Sequence, residues 1–214
     1  MFLRIHNLPL NLRMHSQILK YSVFRKIFIK FPCYNSHMEK SSFVTHPLAP
    51  VWSPESTVLL LGTMPSPASR QFGFYYMHPQ NRFWRVLPAV FEEKLSLANN
   101  SPDTQSAITE RKDFLLRHNL ALWDVLASCQ IKGAADSSIK KEIPNDFTEI
   151  FTKSKIRHVF FTGKTAMALW KNHCTDIYEK KFGLSCTCLP STSPANARFT
   201  MEKLVEEYKI LLSC

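Results

Sequence analysis

The run Phe74 to Trp84, FYYMHPQNRFW, carries six rings, a proline turn and two neighbouring side chains rich in hydrogen-bonding groups, Asn81 and Arg82. Core strands are apolar and usually alternate, and loops are usually polar and poor in rings. A loop rich in both is built to hold something flat and polar. His78, between Met77 and Pro79, is more open to functional use than His118 or His173, which sit at ordinary helix ends. A second loop, Leu189 to Asn196 (LPSTSPAN), has two prolines that fix its backbone while Ser191, Thr192 and Ser193 offer hydroxyls and amides. Taken alone, it also reads as the capping region of a following helix. Asp124 is an acid inside the apolar stretch LALWDVL, where an ionised carboxylate is costly without partners. It is either a satisfied structural acid or a group facing a cleft, and both readings stand. Gly163-Lys164-Thr165 resembles a phosphate loop, but the glycine needed five positions earlier is His158, so it reads as a strand turning into a helix. No G-x-S-x-G nucleophile elbow occurs.

These groups need elements to position them. Val58 to Leu61 reads as a first strand entering a tight Gly/Pro turn, after an extended, proline-containing lead-in from Ser41 to Pro54. Asn81 to Phe91 reads as a helix, 96–106 as a polar loop, Ile108 to Arg117 as a helix and Leu120 to Val125 as a second strand. Gly133 to Pro144 reads as polar and irregular, and Asn145 as the cap of a helix through Phe151, helped by Asp146 in its first turn. A third strand spans Ile156 to Phe161, a helix Lys164 to His173, a fourth strand Leu184 to Leu189 and a last helix Thr200 to Leu212. Strand and helix alternating four times predict an α/β fold with a parallel sheet covered on both faces. Its ligands belong at the carboxyl ends of the strands, where both loops fall and make a cleft.

The 214 residues suffice for one domain with a substantial core. The formal charge is +10, unevenly spread. Residues 1–37 hold six Lys/Arg and no acid, and the remainder holds 21 basic against 17 acidic residues, a net +4. A mildly basic fold permits a nucleic-acid partner without proving one. Residues 1–37 resemble an organelle-targeting presequence, but the reading taken is a basic extension outside the fold, with Met38 as the functional start and 38–214 as the catalytic domain. The six cysteines show no C-x-x-C pair and no zinc-finger spacing, which suits an intracellular protein with reduced, buried thiols. No stretch is long and apolar enough to span a membrane.

GTMPSPASRQFGFYYMHPQNRFWRVL, RKDFLLRHNLALWDVLASC and LPSTSPANA together closely resemble the DNA-deoxyinosine (hypoxanthine-DNA) glycosylases of the uracil-DNA glycosylase superfamily. The resemblance covers roughly residues 45–212, in order and with matching spacing, and family members look as if they begin near the HPLAPVW segment. It implies a three-layer αβα sandwich around a central four-stranded parallel sheet. It also implies a monofunctional, monomeric enzyme acting on DNA without a cofactor. Many superfamily members carry a catalytic Asp or Asn just after the glycine of the first motif, where this chain has Thr63 and Met64. In the deoxyinosine branch that role is ascribed to the Asn of H-P-x-N, here Asn81, with His78 beside it. The family usually has Gly where this chain has Met77, which puts base preference rather than the reaction in question.

The implied mechanism flips the target base out of the duplex, at a cost of a few kcal/mol. Phe74, Tyr75 or Tyr76 stacks on the base, and Asn81 orients water toward an oxocarbenium-like sugar. Asp124 aligns with the base-reading position and would accept the N1–H of hypoxanthine. DNA contact is expected from Gly62, Pro65, Ser66, Arg82, Ser191, Thr192, Ser193 and Asn196, through amides and hydroxyls on phosphates. The absence of lysine from the two motifs argues against Schiff-base strand cleavage, and the cysteines lack the spacing of the iron–sulfur branch. Two rivals remain: a uracil or mismatch-specific glycosylase, and a catalytically silent nucleic-acid-binding module of the same fold, against which Asn81 is the discriminating residue.

Overall fold

A computed structural model describes residues 41–214. The expectations for 1–37 lie outside the described residues. Four strands, β2 (Val58–Gly62), β3 (Leu120–Asp124), β6 (His158–Phe161) and β7 (Ser185–Cys188), form a sheet in the order β3-β2-β6-β7. Every neighbouring pair is parallel.

The period-2 alternation of these strands sorts their side chains into two cores. Val58 and Leu60 of β2, Leu120 and Leu122 of β3 and Phe160 of β6 turn to one face. There they meet α2 (Phe83–Val90), α3 (Thr104–Arg117) and α7 (Met201–Tyr208), through residues such as Leu87, Phe114 and Leu204. Leu59 and Leu61, Ala121, and Val159 and Phe161 turn to the other face, against α4 (Thr148–Lys153) and α5 (Lys164–His173), where Phe151 and Trp170 lie. Strands buried on both faces must be apolar throughout, which is why β2 reads VLLLG and is wholly buried. The result is the three-layer αβα sandwich. Two short helices complete the α set: α1 (Pro67–Phe72), and α6 (Lys180–Phe182) after one π-helical turn at 175–179.

The structure corrects several boundaries. A second, antiparallel sheet of order β1-β4-β5 is formed by β1 (Ser42–Thr45), β4 (Leu126–Ile131) and β5 (Lys140–Pro144). The lead-in and the segment expected to be irregular thus both contribute strands. β5 reads KKEIP and is half-buried at most, so no apolar alternation marks it. Helix α3 starts at Thr104, inside the expected polar loop, with the Asp103 carboxylate accepting from the Ser106 N–H. Asn145 is not a helix cap: it is buried and its amide donates to the Asp124 carbonyl (2.9 Å), tying β3 to the loop before α4. Asp146 accepts the Thr148 N–H instead. The last helix is capped by Thr200 and tightens into a 3₁₀ turn over Lys209–Ser213. Among the described residues, no helix is long and apolar enough to cross a membrane.

Candidate active site

A cavity of about 750 Å³ opens at the carboxyl ends of the parallel strands. Gly62 and Asp124 end β2 and β3, Thr162 follows β6, and the loop after β7 supplies Ser191 to Arg198. This is where open parallel sheets hold ligands, because the strand-to-helix loops diverge there.

Its floor is built around Gly62. In β2, Gly62 pairs with Asp124 of β3. A Cβ on Gly62 would stand 2.1 Å from Asp124 Oδ1 and 2.7 Å from Tyr76 Oη, so only glycine leaves room for these two oxygens. Asp124 is buried, and its Oδ2 lies 3.0 Å from His46 Nε2. Tyr76 reaches the floor because its own backbone adopts φ +57°, an uncommon state for a bulky residue. Its ring stacks on Phe83 at 4.0 Å, and its hydroxyl bonds the Thr162 hydroxyl at 2.7 Å. Tyr75 also lines the cavity, its hydroxyl donating to the Ala49 carbonyl at 2.9 Å. Burial, and after it the negative charge of Asp124, pushes both phenols well above their usual range, so both stay protonated.

Asn81 forms one wall. Its Oδ1 accepts from the Phe83 N–H (2.9 Å) and from the Thr192 hydroxyl (3.0 Å). With Oδ1 occupied twice, the amide presents its Nδ2 donors to the cavity. The turn carrying Asn81 is held from behind. Asn99 Nδ2 donates to the carbonyls of Tyr76 and His78, and Arg111, almost wholly buried, donates to Asn99 Oδ1, Leu97 O and Ala107 O.

The LPSTSPAN loop is fastened by Arg82. Its guanidinium donates to the carbonyls of Thr192, Ser193, Asn196 and Phe199. Ser191 Oγ accepts the Ser193 N–H, and Asn196 Nδ2 donates to the Ser191 carbonyl.

The cavity thus brings together Gly62, Pro65, Ser66, Tyr75, Tyr76, Asn81, Asp124, Ser191, Thr192, Ser193 and Asn196. Three expected site residues do not reach it. Phe74 is in the core, stacked on Trp84 and edge-on to Tyr75, so it is not available to stack on a base. His78 lies outside the lining, with Nδ1 accepting the Gln80 N–H. Arg82 is spent on loop carbonyls rather than open to phosphate. Thr192, only 1% exposed, serves Asn81 rather than DNA. Ser66 caps α1 by accepting the Ser69 N–H. Met77, in the position where the family usually has Gly, is fully buried in the core and is not among the lining residues.

Sequence reasoning missed His46, Thr162, Lys164, Arg198 and the segment Gly133 to Asp136, all but His46 on the lining. Asp136 accepts from the Thr63 hydroxyl (3.0 Å); crowding by the protein and then the charge of Asp124 raise its carboxyl above the ordinary range. The signal for His46 was Asp124 itself, since a carboxylate buried in an apolar strand needs a donor. Among the described residues, no group of three or more His, Cys, Asp or Glu is placed to hold a metal ion.

The family model of the uracil DNA glycosylase superfamily matches residues 49–211, and the chain belongs to that superfamily. Among its curated relatives is a hypoxanthine DNA glycosylase of Methanosarcina acetivorans, 32% identical over 151 residues, covering 68% of this chain and 84% of the relative. Another is the hypoxanthine DNA glycosylase of Methanosarcina barkeri, 30% identical over 150 residues and covering 70% and 86%. The solution NMR structure of a candidate uracil DNA glycosylase from Methanosarcina acetivorans superposes with a TM-score of 0.62 at 26% identity, over 80% of this chain and 99% of that one.

Proposed function

We propose that this chain is a DNA glycosylase that removes hypoxanthine from DNA by hydrolysing the N-glycosidic bond, as the first step of base excision repair. The observation that carries this is the pairing of polarities in one cavity: an amide held with its donors inward at Asn81 and a buried carboxylate at Asp124. A flipped 6-oxopurine sits over Gly62, between Asn81 and the Tyr75–Tyr76 side, with its N1–H on Asp124. The Asn81 Nδ2 donates to the attacking water, fixing it while a lone pair points at the anomeric carbon as the sugar develops positive charge. The departing base needs no covalent partner in this scheme, so water is the nucleophile and an abasic site the product.

Ser191, Ser193 and Asn196, with the exposed Lys164 and Arg198 at the rim, take the DNA backbone, and the stiffened loop wedges the duplex open. We take the working unit to be a monomer inside the cell. The decisive assay uses duplexes carrying hypoxanthine, uracil or xanthine, with and without alkali. Hypoxanthine excision that breaks the strand only after alkali, and that EDTA does not alter, is the expected result. Breakage without alkali would sink the hydrolytic mechanism, and uracil excision alone would reassign the substrate.

A further inference from the structure

We propose that His46 and Thr162 are positioning residues that fix the polarity of the cavity floor, so that Asp124 and Tyr76 meet the bound base as hydrogen-bond acceptors only. At the position that meets N1, the floor then answers an N–H and disfavours adenine, which places a lone pair there. The inference rests on the reading of Asp124 as the base-contacting residue and adds what sets its preference.

The proton positions follow from the bonds. His46 Nδ1 accepts the Leu48 N–H at 3.1 Å, so it carries no proton. The proton of the neutral ring is therefore on Nε2, which donates to Asp124 Oδ2 at 3.0 Å. The two side chains are 3% and 5% exposed, so water does not compete for this bond. Asp124 keeps Oδ1 for the cavity, against Gly62.

Tyr76 is fixed through a second relay. The single hydroxyl proton of Thr162 goes to the Leu61 carbonyl, 3.3 Å away. With that proton so placed, Thr162 Oγ1 accepts from Tyr76 in the proposed arrangement, which spends the only proton that Tyr76 has. Its oxygen, beside Asp124 Oδ1 over Gly62, offers lone pairs alone. Hypoxanthine and adenine differ on this edge by an interchange of donor and acceptor at N1 and C6. An acceptor floor answers the N1–H of hypoxanthine and leaves adenine N1 facing two like-signed oxygens. A site built for an N–H rejects its isostere far more strongly than an apolar pocket rejects a change in size.

The test is single-turnover excision by the full chain from duplexes carrying hypoxanthine, N1-methylhypoxanthine or adenine, with the maximal rate and the half-saturating DNA concentration read separately. Ratios between variants cancel the intrinsic difference between leaving groups. His46→Asn keeps an acceptor for the Leu48 N–H but removes the donor to Asp124. It should narrow the hypoxanthine-to-adenine rate ratio roughly 10- to 100-fold, the weight of one hydrogen bond to a charged group, while half-saturation by DNA stays put. His46→Gln places an amide donor near the lost Nε2 and should recover most of the ratio, which a merely structural histidine would not do. Thr162→Val frees the Tyr76 proton to turn toward the base and should narrow the same ratio severalfold. Wild-type ratios in both His46→Asn and Thr162→Val, each with an intact near-ultraviolet circular dichroism spectrum, would overturn the proposal. If His46→Asn does not fold, Thr162→Val decides alone. No excision of hypoxanthine by the unaltered chain would instead overturn the glycosylase reading, and the proposal with it.

Discussion

Asn81 and Asp124 line the same cavity and are held in contrasting ways. Asn81 is on the turn between α1 and α2, and its oxygen is pinned by donors from its own helix start and from Thr192, 111 residues away. Asp124 ends β3, the edge strand of the parallel sheet, and is pinned by one histidine from the segment after β1. The wall therefore depends on a lattice of bonds that includes Arg82, Asn99 and Arg111, whereas the floor depends on two pairs, His46–Asp124 and Thr162–Tyr76, and a glycine. On the proposed reading the wall would hold water and serve chemistry common to every base, and the floor would meet base edges and choose among them.

If that division holds, Asn81→Ala has the largest effect. Single-turnover excision of all bases should fall by roughly 10²-fold or more, the usual scale of lost positioning, with DNA binding and thermal melting retained. A near-normal rate would remove Asn81 from the mechanism. Next is the support behind the wall. Arg111→Met removes the three hydrogen bonds of a buried guanidinium and should cost about 2 kcal/mol of folding stability, read as a lower urea midpoint with an unchanged slope.

Asp124→Asn tests the floor. An amide can turn either a donor or an acceptor to the base, so the hypoxanthine-to-uracil ratio should change by about tenfold, the effect of one hydrogen bond. An unchanged ratio would return Asp124 to a structural role. Thr192→Val should be milder, because Asn81 Oδ1 keeps the Phe83 N–H. A loss of about fivefold in maximal rate, about 1 kcal/mol, without a shift in DNA half-saturation is expected. The smallest effect belongs to removal of residues 1–37: turnover should persist, with a shallower salt dependence of DNA binding, since fewer basic groups release counterions. Loss of folding would show that the segment is part of the domain.

Strands β2 and β3 were legible because burial demands continuous apolar runs, and VLLLG and LALW satisfy that demand, whereas β7 reads SCTC and is half-buried at most at the sheet edge. The antiparallel strands were not, since β1 and β5 lie at the edges of their sheet and carry exposed polar residues that local pattern does not separate from loop. The same limit governed the site. The aromatic run was correctly placed at the strand ends, yet its composition could not say which rings turn inward: Phe74 enters the core, while Tyr76, with its positive φ, lines the cavity. Arg82 looked like a phosphate ligand because its charge is visible in the sequence and the carbonyls that consume it are not.

By itself, the sequence determined the layered α/β architecture, the two loops that make the cavity and the presence there of Asn81, and it marked Asp124 as an acid needing a partner without deciding whether it faces the cleft. Those follow from local periodicity, turn chemistry and the high cost of an acid in an apolar strand. Only the tertiary structure decided the polarity of each group, because an amide or hydroxyl is donor or acceptor according to its partners, and His46, Thr162 and Thr192 reach theirs from distant parts of the chain.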